Sequence, residues 1–240
     1  TRRSSDLPTY GMPAVWISPE QRGEAERLGC MIFDPVSVIA TQLTEIVRSH
    51  AAELLGRQEV QALLDTLKKT HPALLREVVP DGLGLSGVLK VLQNLLRERV
   101  SIRDMVSIME TLADHLGTTN DPEILTEIVR ASMARTLCKE YCNNEGTINV
   151  MTLDPEIERR IQGDNFLRLD PHMGQEILQA IQAQLQIVQE RGLQPILLTS
   201  PAARPSLRKL VERNFPGLVL LSWNEIAPKV TVNSIGMVTA

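Results

Sequence analysis

Gly82-Leu-Gly84-Leu-Ser-Gly87 has the spacing of a phosphate-cradling turn, and Asp104 stands about where a ribose-binding acid would. That chemistry needs a tight turn directly after a buried parallel strand and before a helix, so that a pyrophosphate meets the helix N-terminus. The residues before it, Leu74 to Pro80, read as the end of a helical segment, and residues 88–116 read as helical throughout. The glycines are therefore expected to turn the chain between helices. No Gly-rich loop ends in Gly-Lys-Ser/Thr, and no Gly-x-Ser-x-Gly supplies a nucleophile elbow. Cys138 and Cys142, four apart, can share a helix face but have no His or further Cys at ligand spacing, so buried thiols are expected. His50, His71, His115 and His172 are far apart in sequence, which argues against a metal. Arg57-Gln58-Glu59 could form a catalytic cluster, but Arg57 and Glu59 are expected to tie helices together or line an interface. Asp65, Glu77 and Glu110 are expected on helix surfaces as solvated charge. No catalytic residue, metal or cofactor is expected.

Composition narrows the classes further. Of 240 residues, 43% are hydrophobic and 22% charged, an ordinary globular balance with room for one large domain or a few small ones. With two Trp, two Tyr and three Phe, the cores must be mainly aliphatic, which favours helices packed by Leu-rich stripes. A net charge of −4 without a dense basic face makes nucleic acid a poor partner. Three cysteines do not suggest a disulfide framework. No run approaches eighteen apolar residues, so no bilayer span is expected, and Thr1 to Asp6 lack an apolar signal core.

The elements that must position any site follow from caps and periodicity. Two prolines and a glycine in residues 7–17 predict an ordered loop, with Ala14 to Ile17 a short buried strand. Ser18-Pro19-Glu20 opens a helix that Gly29 closes, and Cys30 to Phe33 reads as a second buried strand. The unit begins abruptly, so a partner strand lost upstream of the chain is expected. Asp34-Pro35 opens a long helix with Val36, Ile39, Ala40, Leu43, Ile46, Val47 and Leu54 on one apolar face, interrupted at Gly56. Further helices are predicted over Arg57–Lys69, Ser86–Arg99, Ile102–Leu116 with Ser101 as cap, and Asp121–Tyr141. From Thr147 strands alternate with helices: strand 148–153, helix 155–162, helix 171–191, strand 196–198, helix 204–214, strand 218–221 and an extended run 229–238. Gly163 to Asp170 is the expected flexible loop. The fold class is thus mixed α/β with several subdomains. They are a truncated small α/β unit (1–34), a long joining helix (35–56), a central helical module (57–142) and a C-terminal α/β unit with a small sheet (143–240).

One apolar feature invites explanation. Tyr10 and Met12 are expected on a Pro/Gly loop, where large side chains either plug the first core or meet a partner. The pattern alone leaves both readings open.

Tyr10-Gly-Met-Pro-Ala-Val-Trp-Ile17, Asp34-Pro-Val-Ser-Val-Ile-Ala-Thr-Gln-Leu43 and Glu53-Leu-Leu-Gly-Arg-Gln-Glu59 resemble blocks of the type III export-gate family, in its flagellar branch. So do Val91-Leu-Gln-Asn-Leu-Leu96, Val100-Ser-Ile-Arg-Asp-Met105, Val150-Met-Thr-Leu-Asp-Pro-Glu156 and Leu220-Leu-Ser-Trp-Asn-Glu-Ile226, so the likeness spreads over essentially the whole chain. The resemblance implies a membrane half, absent here, and a cytoplasmic half on the inner-membrane face that assembles into a ring, taken to be nonameric. It implies docking of export chaperones with their cargo, contacts with other export-apparatus proteins, and no catalysis. It places the docking hollow at Tyr10, Met12, Phe33, Val38 and Thr41, with Leu7 and the neighbouring Asp6 where relatives often carry Asp. It favours docking over plugging for Tyr10 and Met12. The rivals are an injectisome export gate, with the same fold and other cargo, and a small-molecule α/β enzyme.

Overall fold

The computed structural model describes residues 4–7, 12–80, 82–162 and 171–239, with 4–7, 12, 13 and 171 described by their backbone. Contacts divide the chain into two compact units, Thr1–Gly56 and Arg57–Ala240.

The first unit opens with an antiparallel pair, β1 (Ser4–Leu7) and β2 (Met12–Val15), in which Ser4 pairs with Val15 and Leu7 with Met12. In place of the partner expected to be lost upstream, β2 has one within the chain, β1. Pairing with it also draws Met12 out of the loop and into a strand, whereas Trp16 and Ile17, expected in the strand, lie beyond it. Val15, Trp16 and Ile17 are exposed rather than buried. Ser18 caps a single turn of 3-10 helix through a reciprocal capping box with Gln21, and α1 (Arg22–Arg27) follows. The strand expected over Cys30–Phe33 does not form: the segment is irregular and no described strand pairs with it. An apolar run without a ladder partner has nothing to satisfy its backbone as a strand. Cys30, Met31 and Phe33 are exposed.

Asp34 starts α2 (Pro35–Ser49) by accepting the N–H groups of Val36 and Ser37 at 3.0 and 3.1 Å. The helix expected to run on to residue 56 ends instead at His50, and a short α3 (Ala51–Leu54) follows. Side chains compete for the last carbonyls there: Ser49 Oγ donates to Glu45 O at 2.9 Å, and His50 Nδ1 lies 3.0 Å from Ile46 O.

The second unit begins with six helices: α4 (Arg57–Lys68), α5 (Pro72–Val78), α6 (Gly84–Arg97), α7 (Met105–His115), α8 (Pro122–Ser132) and α9 (Ala134–Tyr141). Their buried stripes include Val60, Leu64 and Leu67 from α4, Val91, Leu92 and Leu95 from α6, and Ile108, Met109 and Leu112 from α7. The cap of α7 is Asp104 rather than Ser101, because Asp104 Oδ1 accepts Ser107 N at 3.1 Å and Oδ2 accepts Ser107 Oγ at 2.7 Å. The helix expected over 121–141 is two helices, divided at Met133, where Ser132 Oγ donates to Val129 O at 2.8 Å. Gly82 and Gly84 turn the chain between α5 and α6, as the sequence suggested. A Cβ at Gly82 would lie 2.5 Å from Leu116 Cδ1 and 2.8 Å from Glu77 O, so close backbone packing explains this glycine. Arg57 does tie helices, donating from Nη2 to Ser86 Oγ at 3.3 Å.

At the end of α6, Val100 N donates to Leu95 O and Arg99 N to Leu96 O, both at 2.9 Å. This left-handed cap usually falls on glycine, but here it is Arg99, at φ 59°. An L side chain there costs about 1 kcal/mol.

The remaining elements are β3 (Thr147–Leu153), α10 (Pro155–Ile161), α11 (Pro171–Glu190), β4 (Ile196–Thr199), α12 (Arg204–Val211), β5 (Val219–Ser222) and β6 (Thr231–Val238). The four strands are parallel in the order β5-β4-β3-β6. Alternation splits their side chains between two layers. Met151, Leu153, Leu197 and Leu220 pack with Ile157, Ile181 and Leu207 of α10, α11 and α12. Ile148, Val150, Ile196 and Leu198 pack with Cys138 and Tyr141 of α9. The loop expected over 163–170 lies outside the described residues.

Candidate functional site

In the first unit, the expected docking residues fall on three segments. The backbone register sets Leu7 opposite Met12 and Asp6 opposite Pro13, while Tyr10 lies outside the described residues. Phe33 immediately precedes the Asp34 cap and is 47% exposed. Val38 is half-buried and Thr41, one turn on, is exposed, its hydroxyl donating to Ser37 O at 2.8 Å. At about 100° per residue, Val38 lies roughly 130° and Thr41 roughly 170° round the helix from the centre of the apolar stripe. That stripe, Val36, Ile39, Leu43, Ile46 and Val47, is itself exposed along its whole length. The positions of α2 that are partly covered are Val38, Gln42 and Glu45, an i, i+4, i+7 series on the other side. So α2 presents two distinct surfaces: an open aliphatic stripe and, opposite it, a mixed face with Val38 and Thr41.

The second unit holds a feature that the sequence did not disclose. Five charged side chains from four elements meet in the interior. Arg204, the first residue of α12, is fully buried, and Arg130 of α8 and Glu225 of the turn after β5 are nearly so. Arg204 pairs with Glu98, the C-cap of α6, and through Nη1 with Glu127 of α8 at 2.5 Å. Arg130 Nε pairs with Glu225 Oε1 at 2.5 Å, its Nη1 lies 3.4 Å from Glu98, and its Nη2 donates to Leu220 O at 3.1 Å. Glu225 Oε2 also accepts Ser222 N at 2.8 Å, closing a capping box over the turn. Every buried polar side-chain atom described has a hydrogen-bond partner. The arrangement fastens the helical segment to the sheet segment.

The carboxylates of this cluster are not equivalent. Burial pushes the Glu98 carboxyl up, but Arg204, Arg130 and Arg208 together outweigh it and hold it below its ordinary value. For Glu127, burial dominates, Arg204 offsets only part of it, and Glu98 adds repulsion, so its carboxyl is raised. A depressed carboxylate contributes stability that is complete above its unfolded value of 4.5 and lost as pH falls through the folded one. A raised carboxylate runs the other way, its ionised form being penalised at neutral pH. Glu98→Gln is therefore expected to cost about 2–3 kcal/mol at neutral pH and to flatten the acid limb below 4.5. Glu127→Gln should leave the midpoint unchanged or raise it. Urea unfolding of both variants at pH 7 and near pH 4 checks this.

The chemistry considered from sequence finds little support in the geometry. The three glycines follow a helix rather than a strand. Among the described residues, no group of three or more His, Cys, Asp or Glu could hold a metal. Cys138 is buried, with Sγ 3.2 Å from both Glu225 O and Ala227 N, and Cys142 is half-buried. The convergent charges of the cluster neutralise one another in the interior.

Comparison with known proteins gives the lineage. The model of the FHIPEP family matches residues 1–231. The flagellar biosynthesis protein FlhA of Bacillus subtilis is 39% identical over 238 residues, which is 96% of this chain and 35% of the relative. The chain thus spans about a third of that relative's length. The structure of the Chlamydia pneumoniae CdsV protein superposes with a TM-score of 0.84 at 29% identity, covering 96% of this chain and 68% of that one. A complex of CdsV with CdsO aligns at 0.79 and 27% identity, over 94% of this chain and 68% of that one. A nonameric SctV-C from EPEC aligns at 0.75 and 26%, over 99% and 74% respectively. The mixed α/β architecture is shared by these structures, and the chain belongs to the FHIPEP family.

Proposed function

We propose that this chain is a non-catalytic docking platform of the flagellar type III protein-export gate, on the cytoplasmic face of the bacterial inner membrane, and that it receives export chaperones with their cargo. The observation that carries this reading is the surface of the first unit, where Phe33, Val38 and Thr41 combine a partly open aromatic with a mixed helix face. An apolar contact with a polar edge suits transient capture and release. Leu7, Asp6 and Met12 of the paired strands, with Tyr10 between them in sequence, are proposed to complete the hollow. Ring self-association and contact with other export proteins accompany the proposal, supported by the nonameric form of one neighbour and the CdsO complex of another. Among the described residues no helix is long and apolar enough to cross a membrane, so any anchorage would come from other residues of a longer protein. The flagellar branch is favoured because the flagellar relative is 39% identical, against 26–29% for the CdsV and SctV-C structures.

Titrating the chain calorimetrically with a flagellar export chaperone bound to its cargo tests the proposal. Micromolar binding supports it. A longer version carrying the upstream residues of such relatives is titrated alongside. Binding by neither contradicts the proposal.

A further inference from the structure

Beside the buried cluster, a narrow cleft opens between the end of α6 and the 216–220 segment leading into β5. Its floor is formed by Glu98 and Arg130, whose charges already answer each other and Arg204. Its rim carries Arg97, Arg99 and Arg208. Arg97 and Arg99 are exposed. Arg208 donates from Nη2 to Arg97 O at 3.3 Å, lies 3.9 Å from Glu212, and also acts electrostatically on the Glu98 carboxylate of the floor. Tyr141 closes one wall, and burial, with Glu140 nearby, raises its phenol to about 12, so it remains a neutral donor. On a chain of net charge −4, this is a concentrated basic spot.

Arg99 adds an independent indication. It is the described non-glycine residue with a positive φ, at the cap position that glycine fills without strain. Backbone strain of this kind persists where the side chain it presents has a use. Here the left-handed cap sets a guanidinium at the mouth of the cleft.

We propose that this cleft docks an acidic peptide segment of a partner protein, seating an Asp or Glu carboxylate among Arg97, Arg99 and Arg208. Guanidinium forks match a carboxylate bidentately, and a cleft this narrow between two chain segments accepts a single side chain rather than a nucleic-acid backbone. The site lies wholly in the second unit and is independent of the chaperone surface on the first.

The test measures fluorescence anisotropy of a labelled Gly-Glu-Glu-Asp-Glu-Glu-Gly peptide with the chain at low salt, beside a Gln/Asn counterpart. The acidic peptide should bind weakly, in a salt-sensitive manner, and the neutral one should not. Arg99→Gly relieves the strained cap, so its melting temperature should hold or rise while affinity falls about fivefold or more. Arg97→Gln should weaken binding similarly, and Arg191→Gln, an exposed arginine outside the cleft, should not. No binding of the acidic peptide, equal binding of the neutral one, or equal losses in the Arg99 and Arg191 variants would each overturn the proposal.

Discussion

Arg204→Ala is expected to lower stability by about 3–5 kcal/mol, the largest single-site loss anticipated outside the aliphatic core. The substitution removes the arginine partner of Glu127 and leaves Glu98 and Glu225 to share Arg130. Most of the cost comes from the carboxylates left behind, because a buried charge without its counter-ion forfeits hydration for nothing in return. Burial lowers the Arg204 pKa, but the three carboxylates raise it further, so the guanidinium stays charged at any pH the fold survives. The double variant Arg204→Met, Glu127→Leu should recover part of the loss, since apolar groups of similar volume can replace a buried pair at little cost. Urea unfolding of the parent, both single variants and the double variant gives the coupling. Additive losses would mean that the pair does not act as a unit.

Phe33→Asp is expected to weaken chaperone–cargo binding by about thirtyfold or more, the loss typical of a central anchor. A carboxylate in an apolar contact must be desolvated without a partner, which penalises the complex and not the free, exposed residue. Thr41→Asp, exposed one turn beyond Val38, should act in the same direction. Ile39→Gln provides the contrast. It lies on the open stripe across the helix, so affinity should stay within about twofold if docking uses the Val38 and Thr41 face. Calorimetric titration reads all three, with circular dichroism to check folding. An Ile39→Gln loss as large as that of Phe33→Asp would move docking to the stripe.

Local rules made much of the fold legible. Asp-Pro pairs marked the starts of α2 and α8, and each Asp accepts backbone N–H from the first turn, as Asp154 also does at α10. Alternating elements after Thr147 announced an α/β unit with a small sheet, whose parallel pairing the structure supplies. The failures share a cause, in that long-range partners decide what local pattern cannot. Cys30–Phe33 has strand composition but no strand to pair with, and Met12 looks like loop until β1 pairs with it. Helices predicted as continuous broke at His50 and Met133, where hydroxyl or imidazole groups compete for carbonyls. The buried cluster was the least legible, because Arg130 and Arg204 look in sequence like any surface arginine and their partners lie as far as 106 positions away. The one local trace was the Ser222-x-x-Glu225 capping box, which fixes the turn that carries Glu225. The docking residues were chosen by family likeness, while the two-faced character of α2 needed the structure.

The most direct test of the docking account is amide hydrogen exchange of the chain with and without a saturating flagellar chaperone–cargo complex. The account predicts slowed exchange in residues 30–42 and in the β1–β2 hairpin, with α12 and β5 unchanged. Slowing confined to the second unit, or absent from 30–42 while binding is saturated, would contradict it.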